Sequence, residues 1–82
     1  MKLSDAIRKR IKYFLKINNM KIWDLCKETG VPCSTISTFM NGKTELIKLD
    51  TLLHICEGFN ITLGEFFTDS VFDNTYQENN KD

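Results

Sequence analysis

The chain has 82 residues, of which 41% are hydrophobic, and its 11 basic and 11 acidic side chains give a net charge of zero. This length fits one small domain, and the apolar content excludes a wholly disordered chain. No apolar run approaches the roughly 18 residues that span a bilayer, and the N-terminus has no apolar signal core, so we expect a cytoplasmic protein without a membrane partner.

Charge is divided unevenly along the chain. Residues 1–48 contain ten Lys or Arg and four Asp or Glu, a net charge of +6, whereas residues 49–82 contain one Lys and seven Asp or Glu, a net charge of −6. This division permits a positive face toward phosphate and an acidic face away from it. Because charge alone also fits a solvated surface without function, the function has to be inferred from the motifs.

The first predicted element is an amphipathic helix from Ser4 to about Ile17. Ser4 is a favourable N-cap residue, and four apolar residues recur at the spacing of one helical face: Ile7, Ile11, Phe14 and Leu15. The pair Asn18-Asn19 interrupts this pattern and ends the helix.

Two short helices joined by a tight turn follow. The second predicted helix runs from about Lys21 to Thr29, where Gly30 supplies the left-handed backbone that ends it. Pro32 suits the first turn of a new helix, and the third predicted helix runs from about Cys33 to Met40 or Asn41. Gly42 is its C-terminal stop.

The third helix has two different faces. One face is apolar and contains Ile36, Phe39 and Met40. The opposite face consists of small polar side chains: Ser34, Ser37, Thr38 and Asn41. A rigid helix pair that buries one face and presents a slim polar face has the shape that fits into a DNA major groove.

Two further helices and a tail complete the chain. The fourth helix is predicted from Leu49 or Asp50 to Glu57, and the sequence Thr62-Leu63-Gly64-Glu65 is a capping box that begins a short fifth helix through Phe66-Phe67. Residues 68–82 form a polar, acidic tail that we expect to be mostly mobile. Its apolar side chains are Val71, Phe72 and Tyr76. They either pair two subunits, which we favour, or fold back onto the core of one.

The three cysteines are an odd number, and their spacings are typical of neither a zinc site nor a disulfide framework. Cys26 and Cys56 lie on predicted apolar faces, so we interpret them as small core residues. Cys33 opens the third helix, where the helix dipole favours a thiolate, and redox sensing through this residue is the less favoured alternative.

The order of these elements resembles the phage Cro and repressor type of helix-turn-helix domain over about Ile7 to Phe67. The most specific matches are Leu25-Cys26 before Gly30-Val31, then Ser34-Thr35-Ile36-Ser37, then Asn41-Gly42-Lys43. The resemblance implies an all-α, five-helix, lambda-repressor-like DNA-binding domain in residues 1–67, followed by the tail in 68–82. It also implies sequence-specific binding of double-stranded DNA, transcriptional regulation as a repressor, and a homodimer on a near-palindromic operator.

The resemblance further assigns the contacts with DNA. Four positions match the family's base-facing sites or lie beside them: Cys33, Ser34, Ser37 and Thr38. Asn41, Lys43 and Thr44 match the segment that contacts phosphate after the recognition helix. Lys21 departs from the family, which often has threonine there, but it can still reach a phosphate. Lys43 is the strongest phosphate candidate; Arg10, Lys12 and Lys21 are weaker ones, because a charge on the first helix is usually only solvated. No cofactor, metal ion or small-molecule ligand is implied.

Two departures from the family pattern affect the expected mechanism. The family often has a buried Arg–Glu pair where this chain has Leu15 and Met40, which we expect to form an apolar contact instead. The third helix also has no Arg, Lys or Gln, so it cannot make the common bidentate contact with guanine. We therefore expect hydroxyl contacts, packing of the Thr38 methyl group on thymine, and part of the specificity from DNA shape.

The competing hypothesis is a protein-interaction module on the same fold, such as an antitoxin or an adaptor. The acidic tail with its aromatic residues would then be the segment that binds the partner. An enzyme is not expected, because the sequence contains no catalytic triad, phosphate-binding loop or metal-ligand cluster.

Overall fold

The computed structural model describes residues 1–76, which fold into five α-helices and one 3₁₀ turn. The helices are α1 (Leu3–Ile17), α2 (Ile22–Thr29), α3 (Cys33–Met40), α4 (Leu49–Gly58) and α5 (Leu63–Phe67), and the 3₁₀ turn covers Ser70–Phe72. The predicted all-α class with five helices is therefore confirmed. None of the helices in residues 1–76 has the length and apolar content needed to cross a bilayer.

The start of α1 differs from the prediction. The helix begins at Leu3, with Lys2 as its N-cap residue, and Ser4 lies buried in the first turn without a hydrogen-bond partner for its hydroxyl among the described residues. The amide of Leu3 instead donates to the carbonyl of Tyr76 at 2.8 Å. A returning segment of backbone thus accepts from the first amide of α1, which begins before the predicted cap at Ser4.

One apolar core joins all five helices. Its buried members are Ile7, Ile11, Phe14, Leu15, Leu25, Cys26, Ile36, Phe39, Leu52, Ile55, Cys56, Phe59 and Phe66. The ring of Phe14 stacks on those of Phe59 and Phe66, with centroids 5.5 and 6.1 Å apart. Leu15 belongs to this core and Met40 packs against it, so apolar side chains fill both positions where the family often has charges.

Helices α2 and α4 approach each other closely at Gly58. A Cβ atom added at Gly58 would lie 2.6 Å from Cγ2 of Thr29, which is closer than real Cβ contacts. Glycine is therefore required here by space, since it brings α4 against the end of α2 and supports the turn that leads into α3.

Arg10 is buried, with only 9% of its surface exposed, although the sequence suggested a phosphate contact. Its guanidinium carbon lies 4.5 Å from the centroid of the Phe14 ring. Four hydrogen bonds tie the guanidinium to the end of α5 and beyond: to the carbonyl oxygens of Phe66 (2.6 Å), Glu65 (2.8 Å) and Thr68 (3.2 Å) and to Oδ2 of Asp69 (3.3 Å). Arg10 is thus committed to the fold and is not available to DNA.

The tail folds back onto the helices as far as residue 76. The Phe72 ring lies 6.1 Å from that of Phe66 and 4.9 Å from that of Phe67. Tyr76 then forms a parallel β-bridge with Lys2, and its amide donates to the carbonyl of Met1 at 3.2 Å. Residues 68–76 therefore follow a defined path instead of the mostly mobile one that we expected, and the rest of the predicted tail lies outside the described residues.

Candidate nucleic-acid interface

The turn between α2 and α3 is built around Gly30. Its φ of 73° places it in the left-handed region, with no other atom within 4 Å of an added Cβ, so backbone conformation alone demands glycine there. The Gly30 amide donates to the carbonyl of Cys26 at 3.0 Å, and the Val31 amide donates to Oγ1 of Thr29 at 3.1 Å. These bonds fix the direction in which α3 leaves α2.

A disulfide bond crosses the same turn. It joins Cys26 in α2 to Cys33, the first residue of α3, whose Cα atoms lie 5.3 Å apart. The bond fastens the beginning of α3 to the helix before it, while Ile36 and Phe39 anchor the rest of α3 in the core. Both ends of the helix are thus held from its buried side.

The opposite side of α3 is polar and open. Ser34 and Thr35 are exposed and Thr38 is half-buried, and the three side chains share one side of an open groove. The other side of this groove is formed by the loop after α3 and the start of α4, including Thr44, Lys48, Thr51 and His54. The polar groups that α3 presents to this groove are therefore hydroxyl groups, beside the apolar side chain of Phe39.

The C-terminal end of α3 leads directly into an exposed lysine. Gly42 has a φ of 80°, its amide donates to the carbonyl of Phe39 at 3.1 Å, and the Lys43 amide donates to the carbonyl of Thr38 at 3.0 Å. This pair of bonds is a Schellman motif. It fixes the backbone of Lys43 relative to Thr38, while the Lys43 side chain remains exposed and makes no hydrogen bond or ion pair with another residue in the range 1–76.

Arg8 holds this region from the side of α1. Its Nε donates to the carbonyl of Phe39 at 2.6 Å, and its Nη2 donates to the carbonyl of Thr44 at 2.8 Å. Its Nη1 pairs with Oδ1 of Asp5 at 2.9 Å, and its guanidinium carbon lies 4.7 Å from the Phe39 ring centroid. Nothing in the sequence except the spacing of Asp5 and Arg8 on one helix hints at this arrangement.

Comparison with known protein families shows the family to which the chain belongs. The profile of the Cro/C1-type HTH DNA-binding domain matches residues 10–70. The chain belongs to the Cro/C1-type helix-turn-helix family. The match begins within α1 and ends in the 3₁₀ turn, so it includes the whole of α2, α3 and the groove between α3 and α4. No curated protein and no solved structure matches the chain.

As a Cro/C1-type domain, the chain is a DNA-binding protein whose helix-turn-helix is α2 and α3. Of the four residues predicted to face bases, the structure brings two, Ser34 and Thr38, to the open groove. Thr35 lies there with them, although it was not predicted to face bases. Ser37 is half-buried and donates to the carbonyl of Cys33 at 2.6 Å, so its hydroxyl already has a partner within α3.

Cys33 requires a correction on two points. Its sulfur is bonded to Cys26 on the α2 side, so it cannot reach a base edge as predicted, and the spacing of the cysteines proves compatible with a disulfide. The folded turn brings the two Cα atoms within bonding distance. Because spacing does not describe the path of the chain, the sequence alone could not have shown this pairing. Cys26 remains a core residue, as predicted.

The residues predicted to contact phosphate occupy different environments. Lys21, Asn41 and Lys43 are exposed. The backbone amide of Asn41 donates to the carbonyl of Ser37 at 2.8 Å and so continues the hydrogen bonding of α3. Thr44 is half-buried, and its Oγ1 accepts a bond from the amide of Leu46 at 3.3 Å. The structure adds Lys48, which is exposed at the groove in the N-cap position of α4 and which sequence reasoning did not single out.

The third cysteine, Cys56, has no place in a DNA contact. Cys56 is fully buried in the core, where burial, with a further contribution from the Glu57 carboxylate, raises the pKa of its thiol to about 11. Within residues 1–76 no group of three or more His, Cys, Asp or Glu side chains is placed to hold a metal ion.

Proposed function

We propose that this protein is a transcriptional repressor that inserts α3 into the major groove of a specific operator. The observation that carries the proposal is the open hydroxyl-lined face of α3, formed by Ser34, Thr35 and Thr38, on a helix that is held rigidly from its other side. Membership of the Cro/C1-type family supplies the DNA binding, and this face supplies the sequence-specific part.

Short side chains determine how the bases are recognised. The hydroxyl groups of Ser34 and Thr38 both donate and accept hydrogen bonds, and the Thr38 methyl group packs on a thymine methyl group. Because these side chains reach only a short distance, α3 has to lie close to the base edges, which its slim face permits. With no Arg or Lys in α3 to hold guanine, sequence-dependent DNA shape contributes part of the specificity.

Lysine side chains around this face supply the attraction to the sugar-phosphate backbone. Lys43 follows the end of α3, Lys48 stands just before α4 across the groove, and Lys21 stands just before α2. Contacts of this kind fix the register of a protein on the duplex without reading its sequence. The acidic half of the chain lies mostly in α4, α5 and the returning tail, so repulsion of the phosphates is concentrated outside the helix-turn-helix.

The protein acts as a homodimer on two half-sites in this proposal, as the symmetry of family operators implies. Phe67 is 37% exposed and Val71 is half-buried, which leaves apolar surface on α5 and the 3₁₀ turn for a second copy. The alternative of a partner-binding tail has less support, because Phe72 already packs on Phe66 and Phe67. Action on DNA also places the protein in the cytoplasm.

The test compares alanine substitutions on and off the proposed face. Dissociation constants are measured by fluorescence anisotropy for a duplex selected from a random pool and for a scrambled duplex of the same composition. Ser34→Ala and Thr38→Ala should each lower the preference for the selected duplex about two- to tenfold, because a single hydrogen bond contributes about 0.5–1.5 kcal/mol. Ser70→Ala removes an exposed hydroxyl in the 3₁₀ turn and should change nothing.

Preference unchanged in both Ser34→Ala and Thr38→Ala would refute base contact by this face of α3. If Ser70→Ala also lost preference, removal of a hydroxyl far from α3 would be acting through the fold. The losses in Ser34→Ala and Thr38→Ala could then not be assigned to base contacts.

A further inference from the structure

The segment that carries Lys43 is a short turn held at both of its ends by one side chain. The carbonyls of Phe39 and Thr44 both accept hydrogen bonds from Arg8, at 2.6 and 2.8 Å, and residues 40–43 lie between them. The Arg8 side chain is only 13% exposed, so these bonds are largely shielded from water. The turn between them contains two of the predicted phosphate contacts, Asn41 and Lys43.

Physical chemistry explains why an arginine suits this place. The last carbonyls of a helix have no partner within the helix and carry partial negative charge, so a cation at the end of α3 is stabilising. A guanidinium offers donors in a planar, fixed arrangement, which allows Arg8 to bond two carbonyls at once while its plane lies over the Phe39 ring. Asp5 accepts from the remaining Nη1 and fixes the rotation of the group.

We propose that Arg8 is a positioning residue for the phosphate contacts: it holds the turn of residues 40–43 in the conformation that binds DNA and does not itself touch DNA. The inference rests on the proposed function, since it concerns the same interface. Lys43 can contact a phosphate only when the turn of residues 40–43 is ordered. Because Arg8 orders this turn before DNA binds, the turn loses less conformational entropy on binding.

The decisive variant is Arg8→Lys, which keeps the charge and removes the planar pair of donors. We expect it to weaken binding about tenfold on selected and scrambled duplexes alike, and to lower the slope of log Kd against log salt by about 0.9, the amount for one phosphate contact. Combined with Lys43→Ala, the two losses should be strongly non-additive, because both remove the same contact. All proteins are compared at a temperature where circular dichroism shows them to be folded.

A second variant, Asp5→Asn, keeps Arg8 itself and removes the carboxylate that orients it. Simple electrostatics predicts tighter DNA binding when an acidic charge is removed. Positioning predicts the opposite sign, a loss of about two- to threefold. Glu28→Gln is the matched control, since it removes an exposed charge from α2 that makes no hydrogen bond or ion pair with the described residues.

The outcomes separate the two claims. If the wild-type protein binds no duplex, the proposed function fails and the inference with it. If the wild-type protein prefers its selected duplex but Arg8→Lys binds equally well, or adds fully to Lys43→Ala, only the role of Arg8 is overturned. Tighter binding by Asp5→Asn to the same degree as by Glu28→Gln would also overturn it.

Discussion

The disulfide between Cys26 and Cys33 gives the sharpest prediction about stability. The bond closes a loop with a sequence separation of 7, across the turn that sets the angle between α2 and α3. Loop-closure entropy for eight residues corresponds to about 2.5 kcal/mol of stabilisation at 25 °C. For a domain of this size that free energy corresponds to a shift in the melting temperature of about 10–20 °C.

The assay is thermal unfolding followed by circular dichroism, with and without a reducing phosphine, and the disulfide is verified by mass spectrometry. The wild-type protein should melt about 10–20 °C lower when reduced. The double variant Cys26→Ala with Cys33→Ala should melt at one temperature in both conditions, since its remaining thiol, Cys56, is buried and unpaired. A wild-type melting temperature that does not change on reduction would refute the reasoning.

Two further predictions concern the free cysteine and the phosphate contacts. The thiol of Cys56 has a pKa of about 11 in the folded state and of 9.0 in the unfolded chain. The free energy of unfolding should therefore fall by about 2–3 kcal/mol as the pH rises from about 9 to about 11. Urea unfolding at a series of pH values measures this fall, and Cys56→Ala should not show it. An identical pH dependence in that variant would contradict the assignment. Lys43→Ala should weaken binding to all duplexes and lower the slope of log Kd against log salt by about 0.9. The control Lys9→Ala changes an α1 residue that lines a pocket with Asp69 and should leave this slope unchanged. Equal slopes in both variants would count against a phosphate contact by Lys43.

The fold was predictable because local signals and the apolar pattern agree. Helical spacing placed Ile7, Ile11 and Phe14 on one face of α1, and all three are buried. The capping box that begins α5 is present as predicted, with bonds of 3.0 and 2.8 Å between Thr62 and Glu65. Such features depend on residues three or four apart, which a sequence displays directly.

The parts that could not be predicted depend on partners far apart along the chain. Arg8 and Arg10 looked like ordinary surface charges of an amphipathic helix, yet their acceptors are mainly backbone carbonyls 31 to 58 residues away. Every residue has a carbonyl, so no residue type marks such an acceptor. The N-cap prediction at Ser4 was wrong because α1 begins at Leu3, whose amide donates to the carbonyl of the distant residue Tyr76.

The candidate site was also predictable only in those parts that depend on residues close together in sequence. The polar face of α3 was visible in the sequence, and Ser34 and Thr38 do lie on its open side. The direction of Cys33 was predicted from its position alone, and a covalent bond to α2 overrode that expectation. Whether a side chain on a short helix faces solvent or a neighbour depends on the angle of the turn before it, which spacing does not determine.

The most direct test of base recognition by α3 is the ratio of two dissociation constants for the wild-type protein, for the duplex selected from a random pool and for its scrambled counterpart, at physiological salt. A specific DNA-binding domain of this family should give a ratio of about 10³ or more. A ratio near one would mean that the protein attracts phosphate without reading the bases, and would contradict the role given to Ser34 and Thr38.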